Sequence, residues 1–339
     1  MIPASSTPRQ PPRWQRELQQ AVTDPAELLS ALGLGPEWLE PARAAARLFP
    51  LRVPRGFVAR MRRGDPRDPL LAQVLPLGAE LAAVPGYVPD PVGDLASLAG
   101  AGVLRKYQGR ALLITTGACA VNCRYCFRRH FPYGEENASR ADFGPALEVL
   151  RADASVREVI LSGGDPLTLG DRRLAALLAG LEAIPHLRRV RLHTRLPIVL
   201  PERVDAGFAD VWSAVRLQKV VVVHANHAAE IDASVRDALA RLKDTGTTLL
   251  NQAVLLRGVN DRSDDLVALS EALFEAGALP YYLHLLDPVA GAAHFDVPEE
   301  RARGLVAEVA ARLPGYLVPR LVREIPGEPA KTMLPPASR

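Results

Sequence analysis

The stretch "TTGACAVNCRYCFRRHFPYG", residues 115–134, begins on the last two residues of the apolar run "RALLITT" (110–116) and holds Cys119, Cys123 and Cys126, all the cysteine the chain has. Three thiols spaced C-x3-C-x2-C directly after a buried strand can wrap one compact metal centre. A structural zinc site needs four protein ligands, and with no fourth cysteine only His130 keeps a zinc-stabilised binding protein open as a reading. A four-iron four-sulfur cluster takes one cysteine per iron, so three cysteines leave one iron free for another ligand, as a catalytic cluster requires. An odd number of cysteines in a chain without an evident leader also makes structural disulfides a poor explanation.

Outward from this stretch, short β-rich runs alternate with helix-patterned segments. After "RALLITT" come "REVILSGGD", "RRVRLHTR", "KVVVVHANH", "TTLLNQAVLL", "PYYLHLLD" and "GYLVPRLVRE", with "RRLAALLAGLEAI", "EIDASVRDALARLKDTG", "SDDLVALSEALFEAG" and "PEERARGLVAEVAARL" between them. A unit of roughly 30 residues is that of a βαβ repeat, and right-handed crossovers curl such a series into a parallel barrel. We expect an α/β fold: a partial parallel (β/α)6-type barrel over 106–318, an N-terminal helical region over 1–105, and a C-terminal lysine loop and tail over 319–339. An open doubly wound sheet is the competing fold. In either, ligands bind at the strand C-termini, and polar residues cluster there: Cys119, Gly163-Gly164-Asp165, His193 and Arg195, His224 and Asn226, Asn251 and Gln252, His284 and Asp287.

The first hundred residues read as short helices punctuated by proline. In "TDPAELLSALG", Thr23 or Asp24 is the expected cap, Pro25 lies in the first turn and Gly33 is the stop. The basic stretch "RVPRGFVARMRRGDPR" (52–67) suits a solvated helix face or a contact surface. With 41 basic and 38 acidic residues the charge is nearly balanced, which points to neither nucleic acid nor an anionic membrane. No apolar run approaches the roughly 20 residues needed to cross a bilayer, and "MIPASSTPRQPPRWQ" lacks a signal peptide's apolar core, so a cytoplasmic location is expected.

Lysine is scarce: Lys106, Lys219, Lys243 and Lys331 are all there is, against 41 basic residues in total. Arginine serves most surface roles of lysine but does not condense with an aldehyde, because its guanidinium is never appreciably deprotonated. Lys331, in the Pro/Gly-containing stretch "VREIPGEPAKTMLPP", is either an ordinary exposed tail residue or one kept for that chemistry.

The cysteine spacing, with Tyr125 before the last cysteine, resembles the signature of radical S-adenosylmethionine (SAM) enzymes. From Lys106 to Lys331 the chain is similar to their lysine 2,3-aminomutase branch, with "CRYCFRRHF", "LSGGDPL", "NQAVLLRGVND", "YYLHLLD" and the lysine loop in order. The resemblance implies a 4Fe-4S cluster on Cys119, Cys123 and Cys126, and SAM against Gly163, Gly164, Asp165, His224 and Gln252. It implies pyridoxal 5'-phosphate on Lys331, with its phosphate met by Lys106, Tyr107 and Arg110, which otherwise read as a solvated charge run. The substrate L-lysine would place its carboxylate on Arg128 and its side-chain ammonium between Asp287 and Glu324, a pair that disfavours glutamate. Glu324 in "REIPGEPAKT" and the ending at Arg339 resemble the subgroup that makes (R)-β-lysine for elongation factor P and its lysine ligase. A free-lysine aminomutase is the alternative. An electron donor such as flavodoxin is the further partner implied.

Overall fold

The expected β-rich runs form strands whose two faces meet different environments. The computed structural model describes residues 11–337, so most of the N-terminal stretch read for a signal peptide lies outside the described residues. Ten strands form one sheet in sequence order: β1 (Leu98–Gly100), β2 (Val103–Leu104), β3 (Arg110–Thr116), β4 (Glu158–Gly163), β5 (Arg189–Thr194), β6 (Gln218–Val223), β7 (Thr248–Val254), β8 (Leu279–His284), β9 (Arg320–Arg323) and β10 (Thr332–Met333). Neighbours from β3 to β9 are parallel, while β1–β2, β2–β3 and β9–β10 are antiparallel.

The helices Gly144–Ala152, Asp171–Glu182, Ala206–Ser213, Ala233–Asp244, Ser263–Glu275 and Glu299–Ala310 follow β3 to β8 in turn, giving the six expected β/α units. A doubly wound sheet reverses its strand order at a switch point; strictly sequential order does not, which decides for the barrel. The outward strand residues Leu113, Val159, Leu161, Val190, Leu192, Val221 and Val223 are buried in one core with Leu174, Leu177, Leu178 and Leu181 of the second helix. The intervening residues Arg110, Leu112, Ile160, Ser162, Arg191, His193, Gln252, Tyr282 and His284 line the lumen. No backbone pairing joins β1 to β10, but Lys106, just before β3, reaches Glu324, just after β9, at 3.4 Å.

Two expectations change. Residues 98–104, inside the region expected to be helical, form the antiparallel hairpin β1–β2 that extends the sheet, and the region beyond 319 carries the short strands β9 and β10 on either side of the expected lysine loop. The basic stretch 52–67 is in part the solvated face expected, since Arg55, Arg62, Arg63 and Arg67 are exposed, but several of its arginines also bind within the protein. Arg52 and Arg55 donate to the carbonyls of Leu18 and Gln20 at 2.9 and 2.8 Å, and Arg60 donates to those of Glu230 and Ile198 at 2.5 and 2.7 Å, fastening the N-terminal helices to each other and to the barrel. In the helix Pro25–Leu32 the cap is Asp24, which accepts from Ala26 N at 2.9 Å, and Gly33 closes it at φ +66°, as glycine allows without a Cβ clash. No helix among the described residues is long and apolar enough to cross a membrane.

Candidate active site

β3 ends at Thr116, and the chain turns over the barrel mouth through the cysteine loop. Its base is fixed by two backbone bonds, Gly164 N to Thr116 O at 2.7 Å and Asp165 N to Ala118 O at 2.8 Å. The approach is so close that a Cβ on Gly164 would lie 2.3 Å from Ala118 O, and Gly163 stands at φ +108°; here the glycines let the β4 turn meet the cysteine loop. Asp165 braces the next turn, its buried carboxylate accepting from Leu167 N, Thr194 Oγ1, Arg195 N and Leu196 N. Those donors hold it even though burial pushes its acid up to about 6. What it contributes toward a cofactor is therefore the shape of the turn.

Every residue named above as a cluster, cofactor or substrate contact lines one cavity at the strand C-termini. Cys119, Cys123 and Cys126 form one wall. Burial, and then the neighbouring Cys126, raises the Cys119 thiol well above its ordinary range, and burial and Cys123 push Cys126 up to about 11. Bound metal inverts that preference by stabilising thiolate. Among the described residues no group of three or more His, Cys, Asp or Glu side chains is arranged to hold a metal ion, and His130 instead meets Ala290 O at 3.1 Å, away from the cavity wall. A cuboidal cluster puts each thiolate on a different iron and so does not require them to converge on one ion; the donor set fits that group and not a four-coordinate zinc.

Behind the thiols lies a buried polar layer. Arg195, after β5, donates from Nη1 to Cys123 Sγ and to Tyr125 OH, both at 2.7 Å, and from Nη2 to Gln73 Oε1 at 2.7 Å and Glu230 Oε2 at 3.0 Å. His224 Nε2 lies 2.9 Å from Tyr125 OH, its ring stacked on the tyrosine. Burial, then Arg195 and His284, keep it neutral. Asn226 and Asn251 serve the frame: Asn226 Nδ2 donates to Gln73 and Tyr125, and Asn251 Oδ1 accepts from Ala225 N at 2.9 Å. Arg129 is bound to Glu80 and is structural.

The opposite wall is a chain of charges. Lys331, on the β9–β10 connection, pairs with Glu324. Burial alone would raise the Glu324 acid, but Lys331, then Lys106 and Tyr107, hold it below the ordinary range. Asp287 has no such close partner. Burial pushes it up to about 7, with Lys331 the largest opposing influence. Lys106 is not free: it lies 2.6 Å from Asp94 Oδ1 and donates to Val92 O at 2.8 Å. Arg128 Nε meets Asp94 Oδ2 at 2.6 Å and its Nη1 meets Ser162 Oγ at 3.3 Å. Arg110 stacks over the Tyr107 ring at 4.4 Å.

Asp94, Arg191, Tyr281 and Tyr282 line the cavity without having been assigned. Arg191 and His193 were legible as the polar positions of "RVRLHT", where charged and apolar residues alternate; Asp94 carries no such signal, since it sits in a Pro/Gly-rich connection. His193 and His284, named for their rim position alone, are buried with Nε2 atoms that meet no protein partner. Burial first, then nearby cations, holds both neutral.

Residues 113–269 match the Radical SAM superfamily. The chain is 50% identical to an L-lysine 2,3-aminomutase of Escherichia coli over 95% of its own length and 94% of the relative's. Identity is 45% to the enzyme of that name from Haemophilus influenzae, over 98% of each chain. It is 30% to that from Clostridium subterminale, over 95% of this chain and 78% of the relative. Identity at this level across nearly the whole chain, together with three thiols at the mouth of a partial barrel, shows that the chain belongs to the L-lysine 2,3-aminomutase family of radical SAM enzymes.

Proposed function

We propose that this aminomutase uses pyridoxal 5'-phosphate on Lys331 and converts (S)-α-lysine to (R)-β-lysine for attachment to elongation factor P. The observation that carries the substrate assignment is the Lys331–Glu324 pair, with the buried Asp287 lining the same wall: an alkylammonium already sits against one carboxylate and opposes the raised acid of the other. With pyridoxal phosphate held on Lys331, that ammonium would be lost, and Asp287 and Glu324 would be available to another. The side-chain ammonium of lysine supplies it, whereas the carboxylate of glutamate would be repelled.

The fit to a phosphorylated cofactor rests on the donor set: Lys106 and Arg110 bring charge, Tyr107 a phenol, and His193 and His284 unpartnered imidazole nitrogens. The cluster with SAM supplies a carbon radical and pyridoxal phosphate an electrophilic carbonyl; the hard chemistry is theirs. The protein's part is placement. Arg128, with Nε and Nη1 fixed by Asp94 and Ser162, presents its guanidinium to the substrate carboxylate as a planar partner. Asp287 and Glu324 hold the far end, so C2 and C3 lie between two anchors. Gly163, Gly164, Gln252 and His224 would hold SAM, and the cavity walls would keep water from the reacting atoms. The electron would come from a low-potential donor of the flavodoxin kind.

The test offers lysine and glutamate in turn to the anaerobic enzyme, with SAM, pyridoxal phosphate and dithionite, and adds elongation factor P with its ligase to a parallel sample. Turnover of lysine alone and a β-lysyl mass increase on the factor are expected. Turnover of glutamate overturns the role of the acidic pair, and β-lysine that the ligase does not use assigns the enzyme to free β-lysine metabolism.

A further inference from the structure

Arg195 is assigned no part in the reaction above, yet it is the side chain that touches the cysteine wall from behind. It is buried, and its position is fixed from several directions. Its backbone N–H is held by Asp165 at 2.7 Å, its Nη2 by Gln73 and Glu230, and its guanidinium lies 5.6 and 5.7 Å from the Phe57 and Tyr125 ring centres. Its Nη1 donates to Cys123 Sγ and to Tyr125 OH, each from 2.7 Å, and its buried Nε meets no partner. Glu230 is equally fixed. Its Oε1 accepts from Asn226 N at 2.8 Å, His227 N at 3.0 Å and Gln73 Nε2 at 3.1 Å.

We propose that Arg195, counterbalanced by Glu230, sets the reduction potential of the iron–sulfur cluster by donating a hydrogen bond to the Cys123 thiolate. The proposal rests on the cluster being held by these three cysteines. Hydrogen bonds to cluster sulfurs and nearby charge are among the levers that set such potentials. On one-electron reduction by an external low-potential donor, the cluster gains one negative charge and no proton is required. A guanidinium against one of its thiolates stabilises that reduced state in a dry setting where charges are weakly screened. Glu230 offsets most of that cation at longer range, leaving the cluster low enough in potential to reduce a sulfonium.

Gln73 contributes Oε1 to Arg195 Nη2, Tyr125 OH and Asn226 Nδ2, and Nε2 to Glu230. The N-terminal region therefore supplies one corner of the frame that aims Arg195, a task for residues whose sequence shows no chemistry of their own.

The charge pair makes a signed test possible. The full-length protein is reconstituted anaerobically without lysine, its iron content is measured, and the reduced cluster is followed by electron paramagnetic resonance through a potentiometric titration. Arg195→Gln is expected to lower the midpoint so that, at fixed poise, the reduced-to-oxidised ratio falls about tenfold, or about 59 mV for one electron. Glu230→Gln is expected to raise it, and Arg195→Lys to lie between Arg195→Gln and wild type. Shifts of the two glutamine variants in the same direction, or no shift in Arg195→Gln at full iron content, overturn the proposal. Should Arg195→Gln bind no cluster, Glu230→Gln decides alone: a raised midpoint supports the proposal, and an unchanged or lowered one overturns it. Loss of the cluster in both variants assigns the pair to structure and also overturns it. Because no lysine is present, a wrong substrate assignment leaves the result untouched.

Discussion

Asp94 Oδ2 lies 2.6 Å from Arg128 Nε, and the other oxygen of the same carboxylate lies 2.6 Å from Lys106 Nζ. Burial alone would raise the Asp94 acid, but Arg128 and Lys106 outweigh it and hold the acid below the usual carboxylate range. One buried anion thus positions the groups proposed for substrate carboxylate and cofactor phosphate. Asp94→Ala should raise KM for lysine by about tenfold, as loss of about 1.4 kcal/mol of orientation does, with a smaller change in kcat. Steady-state kinetics at saturating pyridoxal phosphate separate the two, and a fall in kcat alone would contradict the positioning role.

Burial of Asp287, with its acid pushed up to about 7, has a sign that can be worked out. The folded ligand-free protein binds the Asp287 proton more tightly than the unfolded chain does. The group's favourable contribution is therefore complete below the ordinary carboxylate pKa and is lost as pH rises through about 7. Asp287→Asn should melt at a higher temperature than wild type at pH 8, with the difference closing as the pH approaches 4. Binding of lysine runs the other way: the ammonium needs the carboxylate ionised, so KM should improve between pH 6 and 8 in wild type and stay flat in Asp287→Asn.

Lys331→Arg keeps a cation beside Glu324 and removes the amine that condenses with an aldehyde. Borohydride reduction in the presence of pyridoxal phosphate should fix the cofactor to the wild-type peptide containing Lys331 and to no peptide of the variant, by mass spectrometry. Labelling at Lys106 in both proteins would contradict the assignment.

At Gly164 a single methyl group is decisive. Its Cβ would sit 2.3 Å from Ala118 O and 2.8 Å from Gly117 C, both backbone atoms, so the cysteine loop has to move. Gly164→Ala should fold, as judged by circular dichroism, yet carry less than half the wild-type iron after reconstitution. Full iron content would show that the loop tolerates the shift.

The barrel was legible because each unit states itself locally: an apolar run, a polar residue at its end, a helix with one buried stripe. The site was legible only where chemistry restricts the residue type. Three cysteines in one turn and a lysine in an arginine-rich chain stand out in any reading; Asp94 and Gln73 do not, since an aspartate or glutamine in a connecting segment acquires meaning only from what the fold brings against it. Arg195 illustrates the boundary. Its place after β5 was visible in "RLHTR", while its contact with Cys123, 72 positions away in sequence, depends on the curvature of the sheet. In the basic stretch 52–67 the exposed arginines were legible, whereas the bonds of Arg52 and Arg60 to backbone carbonyls were not, because such partners leave no trace in residue identities.

Movement of nitrogen from C2 to C3 of lysine by radical chemistry is what this active site is proposed to accomplish. Lysine deuterated at C3, incubated anaerobically with the reconstituted enzyme, SAM, pyridoxal phosphate and dithionite, tests it directly. The expected result is β-lysine by chiral chromatography, with deuterium at C2 of the product and in 5′-deoxyadenosine, and neither with Lys331→Ala. Deuterated 5′-deoxyadenosine without β-lysine, or lysine recovered unlabelled at C2 and unchanged, would contradict the account.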